Sequence, residues 1–287
     1  MSNSVSQNVP YLETELENRI GASSAAFDYS SPLSASDIAL FRSTGLTKIE
    51  INSLRYPNRF DYRNKHQVSE ITMECENQGV SIVSFHGPDF SYNSTDETIR
   101  QASVTEALKA AEVAEQMGAS VMVCHFGTDY QSEKTVTELL TELENSNLKL
   151  ANENGLEIQS YIELADKIDS NQFGIVIDIG HLKDSDGANP FTKAERAAQP
   201  ILRAGSHLIH LHLHDFLDRD HFAPIGGFIE WNQLLTALRN INYRGLFMFE
   251  AMYPLGEEVY DPERVLSQTA AFPKAFVQKH ATDIRNP

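Results

Sequence analysis

Short β-branched or apolar runs alternate with longer stretches of helical periodicity along most of this chain, and this alternation restricts its fold more than any other feature. Strands that alternate with helices favour a parallel sheet, and eight such units close into a barrel. The sequence therefore predicts an α/β fold, a single-domain (β/α)8 TIM barrel. Eight runs read as strands: IGASSAAF from Ile20, KIEIN from Lys48, VSIVSFH from Val80, SVMVCHFG from Ser120, LEIQ from Leu156, FGIVIDIGH from Phe173, HLIHLHLHD from His207 and GLFMFEA from Gly245.

Two of the intervening helices have clear ends. One is predicted from Thr95 to Met117 and stops at Gly118, and another from Gln131 to Asn154 stops at Gly155. The polar first 18 residues are expected to form a tail, either flexible or docked on the barrel base. The predicted division is therefore a tail over 1–18, the barrel over 19–280 and a C-terminal tail over 281–287.

Composition restricts the functional class. The 287 residues, 41% of them apolar, suffice for one large core. No apolar run approaches the roughly 18 residues of a membrane span, and the start MSNSVSQNVP does not resemble a secretory signal, so we expect a cytoplasmic protein without a membrane partner.

The two cysteines, Cys75 and Cys124, are expected to be reduced and buried. The net charge of −17 disfavours a nucleic acid partner, because phosphate binding requires Lys and Arg.

Polar residues gather where the predicted strands end, which is where the catalytic groups of such barrels lie. Seven of the ten histidines lie at or just after strand ends. This placement across five strands favours a metal site. The strand-end residues are His86 on strand three, His125 on strand four, Asp178 with His181 on strand six, His210, His212 and His214 with Asp215 on strand seven, and Glu250 on strand eight.

The mixture of imidazole and carboxylate suits a divalent ion such as zinc, manganese or cobalt, whereas oxygen ligands alone would favour magnesium. We leave the identity of the ion open among Mn, Zn, Co and Mg. His210, His212 and His214 share parity, so all three point into the barrel if any does. His212 is the best ligand candidate, His210 is expected deeper among core polar groups, and His214 is expected to contact substrate.

The motifs SFHGP, CHFG, IVIDIGH, HLHLHD and MFEA, in this order, resemble the xylose isomerase-like sugar isomerases and epimerases. The resemblance extends from about Arg19 to Pro254. The same superfamily holds the endonuclease IV type of apurinic DNA nuclease. The combination of Asp-x-Gly-His with His-x-His-x-x-Asp is typical of the superfamily and not of one reaction.

This resemblance implies a set of roles. Metal ligands from strands six, seven and eight fall on Asp178, His212 and Glu250, and Glu250 also moves a proton at the carbon next to a metal-polarised carbonyl or hydroxyl. A pocket histidine, His181 or His86, contacts sugar oxygens, and we assign His181 a catalytic role as well.

In the nuclease members the metal set expands to three zinc ions. The matching residues are His86, His125, His181 and His221, with Asp218 or Asp220 nearby. We therefore include His181 and His221 among the candidate metal ligands. The candidate substrate contacts are His86, His125, His214, Glu50 and Trp231, although a capping or core role for Glu50 is the simpler alternative.

Strand five departs from the pattern that the resemblance implies. The family strand ends in Glu-Asn, whereas LEIQ runs directly into the helical SYIELADKID. The strand is therefore predicted to be truncated, with Glu157 and Gln159 facing inward and no match for the family glutamate. Loss of that base would favour a one-base dehydratase or lyase over an epimerase.

The expected function is a metal-dependent sugar or polyol isomerase or epimerase, or a lyase, that acts on a small carbohydrate through an atypical site. The alternatives are a non-catalytic sugar-binding protein and an apurinic endonuclease. No sequence feature decides whether the chain forms a homo-oligomer.

Overall fold

A computed structural model of the protein describes residues 10–27, 31–54, 57, 59–217, 219–224, 226–252 and 261–282. Eight parallel strands follow one another around a closed barrel, in which β8 pairs with β1. This confirms the predicted (β/α)8 fold. The strands are β1 (Ile20–Ser23), β2 (Lys48–Asn52), β3 (Ser81–His86), β4 (Val121–Cys124), β5 (Lys149–Glu153), β6 (Phe173–Asp178), β7 (Leu208–Leu213) and β8 (Phe247–Phe249).

Helices connect the strands and surround the barrel. The predicted helix over Thr95–Met117 lies at Glu97–Gln116, and its first turn is capped by Asp96, whose carboxylate accepts from the amides of Thr98 and Ile99. The helices are α1 (Glu13–Glu17), α2 (Ala35–Ser43), α3 (Lys65–Gln78), α4 (Glu97–Gln116), α5 (Tyr130–Glu142), α6 (Gln159–Ile168), α7 (Gln199–Ala204), α8 (Trp231–Asn240) and α9 (Pro262–Thr282).

The sequence-based placement of the fifth strand is wrong. The strand is Lys149–Glu153, within the segment that was predicted as the end of a helix, and the helix α5 already ends at Glu142. Leu156 is exposed, and Gln159 begins α6. The expected truncation does not exist, because β5 ends in the Glu-Asn sequence that the resemblance requires.

The strand was missed because most of its residues lack strand character. Only Leu150 is a large apolar residue, and Asn152 and Glu153 are buried polar residues that serve the site. The regular spacing of leucines in α5 continues through Leu148 and Leu150, which extends the helical pattern beyond the true helix. The turn signal Asn-Ser-Asn over 145–147 marks the actual boundary.

Side chains alternate between the barrel interior and the layer beneath the helices. Val123, Ala151 and Val176 form a small apolar cluster of their own, separate from the main core that includes Leu150 and Ile175. Because alternate residues of a strand face the same side, the inward residues that follow Ala151 in β5 and Val176 in β6 are Glu153 and Asp178. The apolar cluster therefore lies one layer below these carboxylates.

The segment before β1 covers the end of the barrel at which the strands begin. Leu16 is fully buried, and the Tyr11 ring packs edge-on against Phe247 at 5.3 Å between centroids. The Arg19 guanidinium lies over Phe247 and donates to the carbonyls of Tyr243 and Gly245. Residues 10–17 are thus docked, while residues 1–9 and 283–287 lie outside the described part of the chain.

Among the described residues, no helix combines the length and the apolar character that a membrane crossing would require.

The position of β5 can be tested by a pair of leucine substitutions. Leu150→Ala should lower the free energy of unfolding by about 2–5 kcal/mol, because Leu150 is fully buried in the main core. Leu156→Ala should change it by less than about 0.5 kcal/mol, because Leu156 is 66% exposed. Denaturant unfolding of both variants measures this, and a larger cost at Leu156 than at Leu150 would contradict the assignment.

Candidate metal centre and active site

Four side chains converge where β5, β6, β7 and β8 end. Glu153, Asp178, His212 and Glu250 each offer one ligand atom, and these atoms all lie within 4.8 Å of one another. The Nδ1 atom of His212 lies 3.2 Å from Oε1 of Glu153 and 3.1 Å from Oε2 of Glu250. Three carboxylates and one imidazole form a donor set that suits a divalent metal ion.

The hydrogen bonding of Asp178 fits such an ion. Its Oδ1 accepts from the backbone amides of Gly180 at 2.7 Å and His181 at 3.2 Å. Its Oδ2 is buried and has no hydrogen-bond partner among the described residues. Because a buried ionised oxygen without a partner is costly, this atom fits a site that holds a cation.

Among the described residues, four further groups that could hold an ion overlap the central one, and two of them extend it outward by sharing Glu153 or Asp178. His86, His125 and Glu153 form one group, in which both imidazole Nε2 atoms lie 3.0 Å from Oε2 of Glu153. Asp178, His181 and His221 form the other, with Nε2 of His221 3.5 Å from Oδ2 of Asp178. The strand-end residues therefore form one continuous cluster.

Two asparagines that the sequence analysis did not single out orient these carboxylates. The Asn52 amide, at the end of β2, donates to Oε1 of Glu250 at 2.9 Å. Oδ1 of Asn154 accepts from the backbone amide of Asp178 at 2.7 Å, and the carbonyl of Asn154 lies 3.2 Å from Nδ1 of His181. Asn154 therefore links the end of β5 to the end of β6.

Glu50 lies beneath the cluster and not at its mouth. Its side chain is fully buried and accepts from Ser84 at 2.8 Å, with His210 Nε2 at 3.1 Å and His212 Nε2 at 3.2 Å. The expectation that Glu50 contacts substrate is therefore wrong. It faces the far side of His212, so that Nδ1 is the nitrogen of His212 that is directed at Glu153 and Glu250.

The carboxylates are held in their ionised form in this arrangement. Burial alone would raise the pKa of Glu50, Glu153, Asp178 and Glu250, but the adjacent imidazoles outweigh it. His212 is the largest opposing influence on Glu50, Glu153 and Glu250, and the pKa of Glu250 falls to about 2.

The histidines shift in the opposite direction. Burial disfavours the imidazolium form of His125, yet Asp89 and Glu153 raise its pKa to about 10. The pKa values of His181, His212 and His221 are likewise raised against burial by neighbouring carboxylates. Without a metal ion, imidazolium groups therefore balance the buried negative charge.

Three other expected substrate contacts are not at the mouth of the barrel. His86 and His214 are buried, and each has a ring nitrogen 3.0 Å from a carboxylate of the cluster. Trp231 is buried at the start of α8 and packs against Phe249 and Phe272 in the core. A strand-end position does not reveal how far the following loop covers His86 and His214, so their contact with substrate stays a prediction.

Among the histidines of the cluster, His125 and His181 are the more accessible, and their side chains are each 32% exposed. His221, in the loop after β7, pairs with Asp220 at 3.2 Å, while the alternative Asp218 lies outside the described residues. The structure thus gathers His125, His181 and His221 around the buried cluster.

The principal omission of the sequence analysis was Glu153, which supplies the strand-five carboxylate. Its signal was present in the sequence as Glu-Asn at 153–154, two residues before the run that was taken for the strand.

Known proteins of the same shape include two sugar epimerases. D-psicose 3-epimerase of Clostridium cellulolyticum H10 is 17% identical with a TM-score of 0.70, covering 92% of this chain and 99% of the other. The 3-keto-D-glucoside 4-epimerase YcjR of E. coli is 16% identical with a TM-score of 0.67, covering 90% and 99%. At such identities the likeness concerns the fold.

One relative is more similar in sequence. The uncharacterized protein MJ1311 of Methanocaldococcus jannaschii is 28% identical over an alignment of 202 positions, and the match covers 62% of this chain and 67% of the relative. The family model described as xylose isomerase-like TIM barrel matches residues 38–275, which include every residue of the cluster. The chain therefore belongs to the xylose isomerase-like TIM barrel family.

Proposed function

We propose that the protein is a divalent metal-dependent sugar or polyol isomerase or epimerase. The observation that carries this proposal is the convergence of Glu153 and Glu250, from β5 and β8, on Nδ1 of His212. Beside them lies Oδ2 of Asp178, which has no hydrogen-bond partner among the described residues. Two carboxylates in one pocket can remove a proton from carbon and return one. The shared shape with two sugar epimerases supports the same class of reaction.

Glu153, Asp178, His212 and Glu250 would hold the ion. A divalent ion there would polarise the carbonyl or hydroxyl of the substrate and so acidify the adjacent C–H bond. One of the two glutamates takes that proton as the C–H bond breaks, and its electron pair moves toward the polarised oxygen. In an isomerase the same glutamate would return this proton to the neighbouring carbon, while the hydroxyl proton passes to the carbonyl oxygen. In an epimerase the other glutamate, after taking up a proton from solvent, would deliver it to the opposite face of the same carbon.

The residues around the cluster would bind the substrate. His125 and His181 present partly exposed imidazoles, which can hydrogen-bond to sugar hydroxyls. Asn52 and Asn154 keep the carboxylate of Glu250 and the backbone at Asp178 in place. The substrate therefore meets groups whose orientation is fixed before it binds.

The presence of Glu153 in the cluster favours a two-base reaction over a one-base dehydratase or lyase. A one-base dehydratase or lyase was favoured only because the strand-five glutamate was taken to be absent. With two glutamates in the cluster, a two-base reaction is the better proposal. A non-catalytic sugar-binding role would use the two glutamates only as metal ligands and would leave their capacity for proton transfer unused.

A second candidate is metal-dependent hydrolysis of a phosphate ester, as in the apurinic nucleases. The observation in its favour is that the groups around Glu153 and Asp178 extend the centre to three potential ion positions. The net charge of −17 opposes it, because a DNA substrate is a polyanion.

Metal binding can be tested at Glu153, the strand-five carboxylate that the sequence analysis missed. Glu153→Gln should weaken the binding of Mn²⁺ or Zn²⁺ to chelator-treated protein by about tenfold or more, because it removes a charged ligand. Glu157→Gln is the matched control and should bind as the wild type does, since Glu157 is exposed. Isothermal titration calorimetry measures both. Equal affinities in the two variants would contradict the assignment of Glu153.

The reaction class can be tested by solvent exchange. Wild-type protein loaded with Mn²⁺ and incubated with a panel of ketoses and aldoses in D2O should place deuterium on a carbon adjacent to the carbonyl, as read by NMR. Glu250→Gln should reduce this exchange by about 10²–10⁴-fold. Cleavage of an abasic DNA duplex without any sugar exchange would instead support the hydrolytic candidate.

The charge balance of the metal-free protein predicts how its thermal stability depends on pH. The pKa of His125 is about 10 when folded, above the roughly 6.5 of an unfolded histidine, so its contribution to stability is complete below pH 6.5 and is lost as pH rises toward 10. The Tm of chelator-treated protein should fall over this range, and it should fall less in His125→Gln. A Tm that rises between pH 7 and 10 would contradict this charge balance.

A further inference from the structure

His214 is a fully buried histidine whose two ring nitrogens contact two different parts of the candidate centre. It follows the last residue of β7, two positions beyond His212. Its Nε2 lies 3.0 Å from Oδ1 of Asp178, on β6. Its Nδ1 accepts a hydrogen bond from the backbone amide of His221, at 3.0 Å, in the loop after β7.

These two contacts determine where the proton of the ring lies. A backbone amide can only donate, so Nδ1 must carry the lone pair and Nε2 the hydrogen. The carbonyl of Asp215 is also 3.1 Å from Nδ1, but the amide hydrogen of His221 occupies the place that a second ring proton would need. His214 therefore donates from Nε2 to Asp178.

The donation from His214 completes the hydrogen bonding of one oxygen of Asp178. Oδ1 then accepts from the amides of Gly180 and His181 and from the His214 ring. Oδ2 is left facing Nε2 of His221 at 3.5 Å and Nε2 of His181 at 3.9 Å. The carboxylate is thus held with one particular oxygen directed at these two imidazoles.

Packing reinforces the connection to His221. The rings of His214 and His221 stack with 4.3 Å between centroids and 16° between planes. Gly180 makes room for this stack, because a Cβ there would lie 2.4 Å from Cε1 of His214. His221 itself has φ of 62°, a conformation that a residue with a side chain adopts only when its surroundings require it.

The loop that carries His221 is anchored on both sides of it. The Asp215 carboxylate accepts from the backbone amides of Phe216, Gly226, Gly227 and Ile229. The carbonyl of His221 accepts from Met252 just after β8, at 2.8 Å. The bond to His214 therefore connects the backbone in the middle of this loop to Asp178 through the His214 ring.

We propose that His214 is a positioning residue that assembles the group Asp178, His181 and His221, by orienting Asp178 through one nitrogen and fixing the backbone of His221 through the other. This inference rests on the proposed function, in which Asp178, the carboxylate that His214 orients, is one of the four ligands of the divalent ion. His214 acts through these residues and does not contact substrate.

Three substitutions separate the two contacts. His214→Phe retains the ring volume and the stack but removes both hydrogen bonds. His214→Asn places an oxygen near the position of Nδ1, which can still accept from His221, and His214→Gln places an amide nitrogen near the position of Nε2, which can still donate to Asp178. His66→Phe, on an exposed histidine of α3, is the control for the loss of an imidazole.

The first measurement uses metal-free protein and is independent of the proposed function. Amide exchange by NMR should be faster at His221 in His214→Phe and His214→Gln than in the wild type, and close to the wild-type rate in His214→Asn. If His214→Phe does not fold, the Asn and Gln variants supply the comparison. Equal exchange at His221 in the wild type and all variants that fold would overturn the proposal.

The second measurement is a titration of chelator-treated protein with Zn²⁺. The wild type should bind at least one equivalent, and His214→Phe should lose about 10–100-fold in affinity, because Asp178 is no longer held by the His214 ring. His214→Gln should restore part of this loss. Wild-type protein that binds no Zn²⁺ would refute the proposed function, whereas wild-type binding that is unchanged in His214→Phe would refute the role of His214 alone.

Discussion

The negative charge that four strands bury at one end of the barrel is the constraint on which the rest of the site depends. Glu50, Glu153, Asp178 and Glu250 are each no more than 4% exposed. A buried carboxylate without a partner would take up a proton, and close carboxylates repel one another, so the ionised state requires positive charge among them. His212 contacts three of the four and supplies it in the metal-free molecule. A divalent ion can replace that charge only if the imidazole gives up its proton.

Neutral hydrogen-bond donors determine the direction in which two of these carboxylates, Glu250 and Asp178, point. Asn52 occupies Oε1 of Glu250 and leaves Oε2 directed at His212 and His221. Backbone amides after β6 occupy Oδ1 of Asp178 and leave Oδ2 directed at the same centre. In both cases one oxygen is held by a fixed donor that cannot become charged. The orientation of Glu250 and Asp178 therefore rests in part on donors that do not titrate, whereas Glu153 is held by the imidazoles of His86, His125 and His212.

The sequence predicted most of this arrangement because strand-end polarity and the period of two are direct consequences of barrel geometry. Strand-end position made Asp178, His212 and Glu250 candidates, the family resemblance implied that they are metal ligands, and the structure brings them together. Strand five was misplaced because β5 contains the polar site residues Asn152 and Glu153, which do not resemble a strand in sequence. LEIQ contains apolar residues but does not belong to the sheet. Burial was predicted less well than position, since the loop after β7 covers His214 through contacts that no local pattern reveals.

The sharing of carboxylates between groups links the number of bound ions to the chemistry that the site can perform. Glu153 belongs both to the central group and to the group with His86 and His125, and Asp178 belongs both to the central group and to the group with His181 and His221. If Glu153, Asp178, His212 and Glu250 held a single ion, a glutamate could still exchange a proton with substrate. Three ions would engage Glu153 and Asp178 from two sides and withdraw Glu153 as a base, which suits hydrolysis better than epimerisation. The stoichiometry of the loaded protein therefore bears more directly on its reaction than the identity of the metal does.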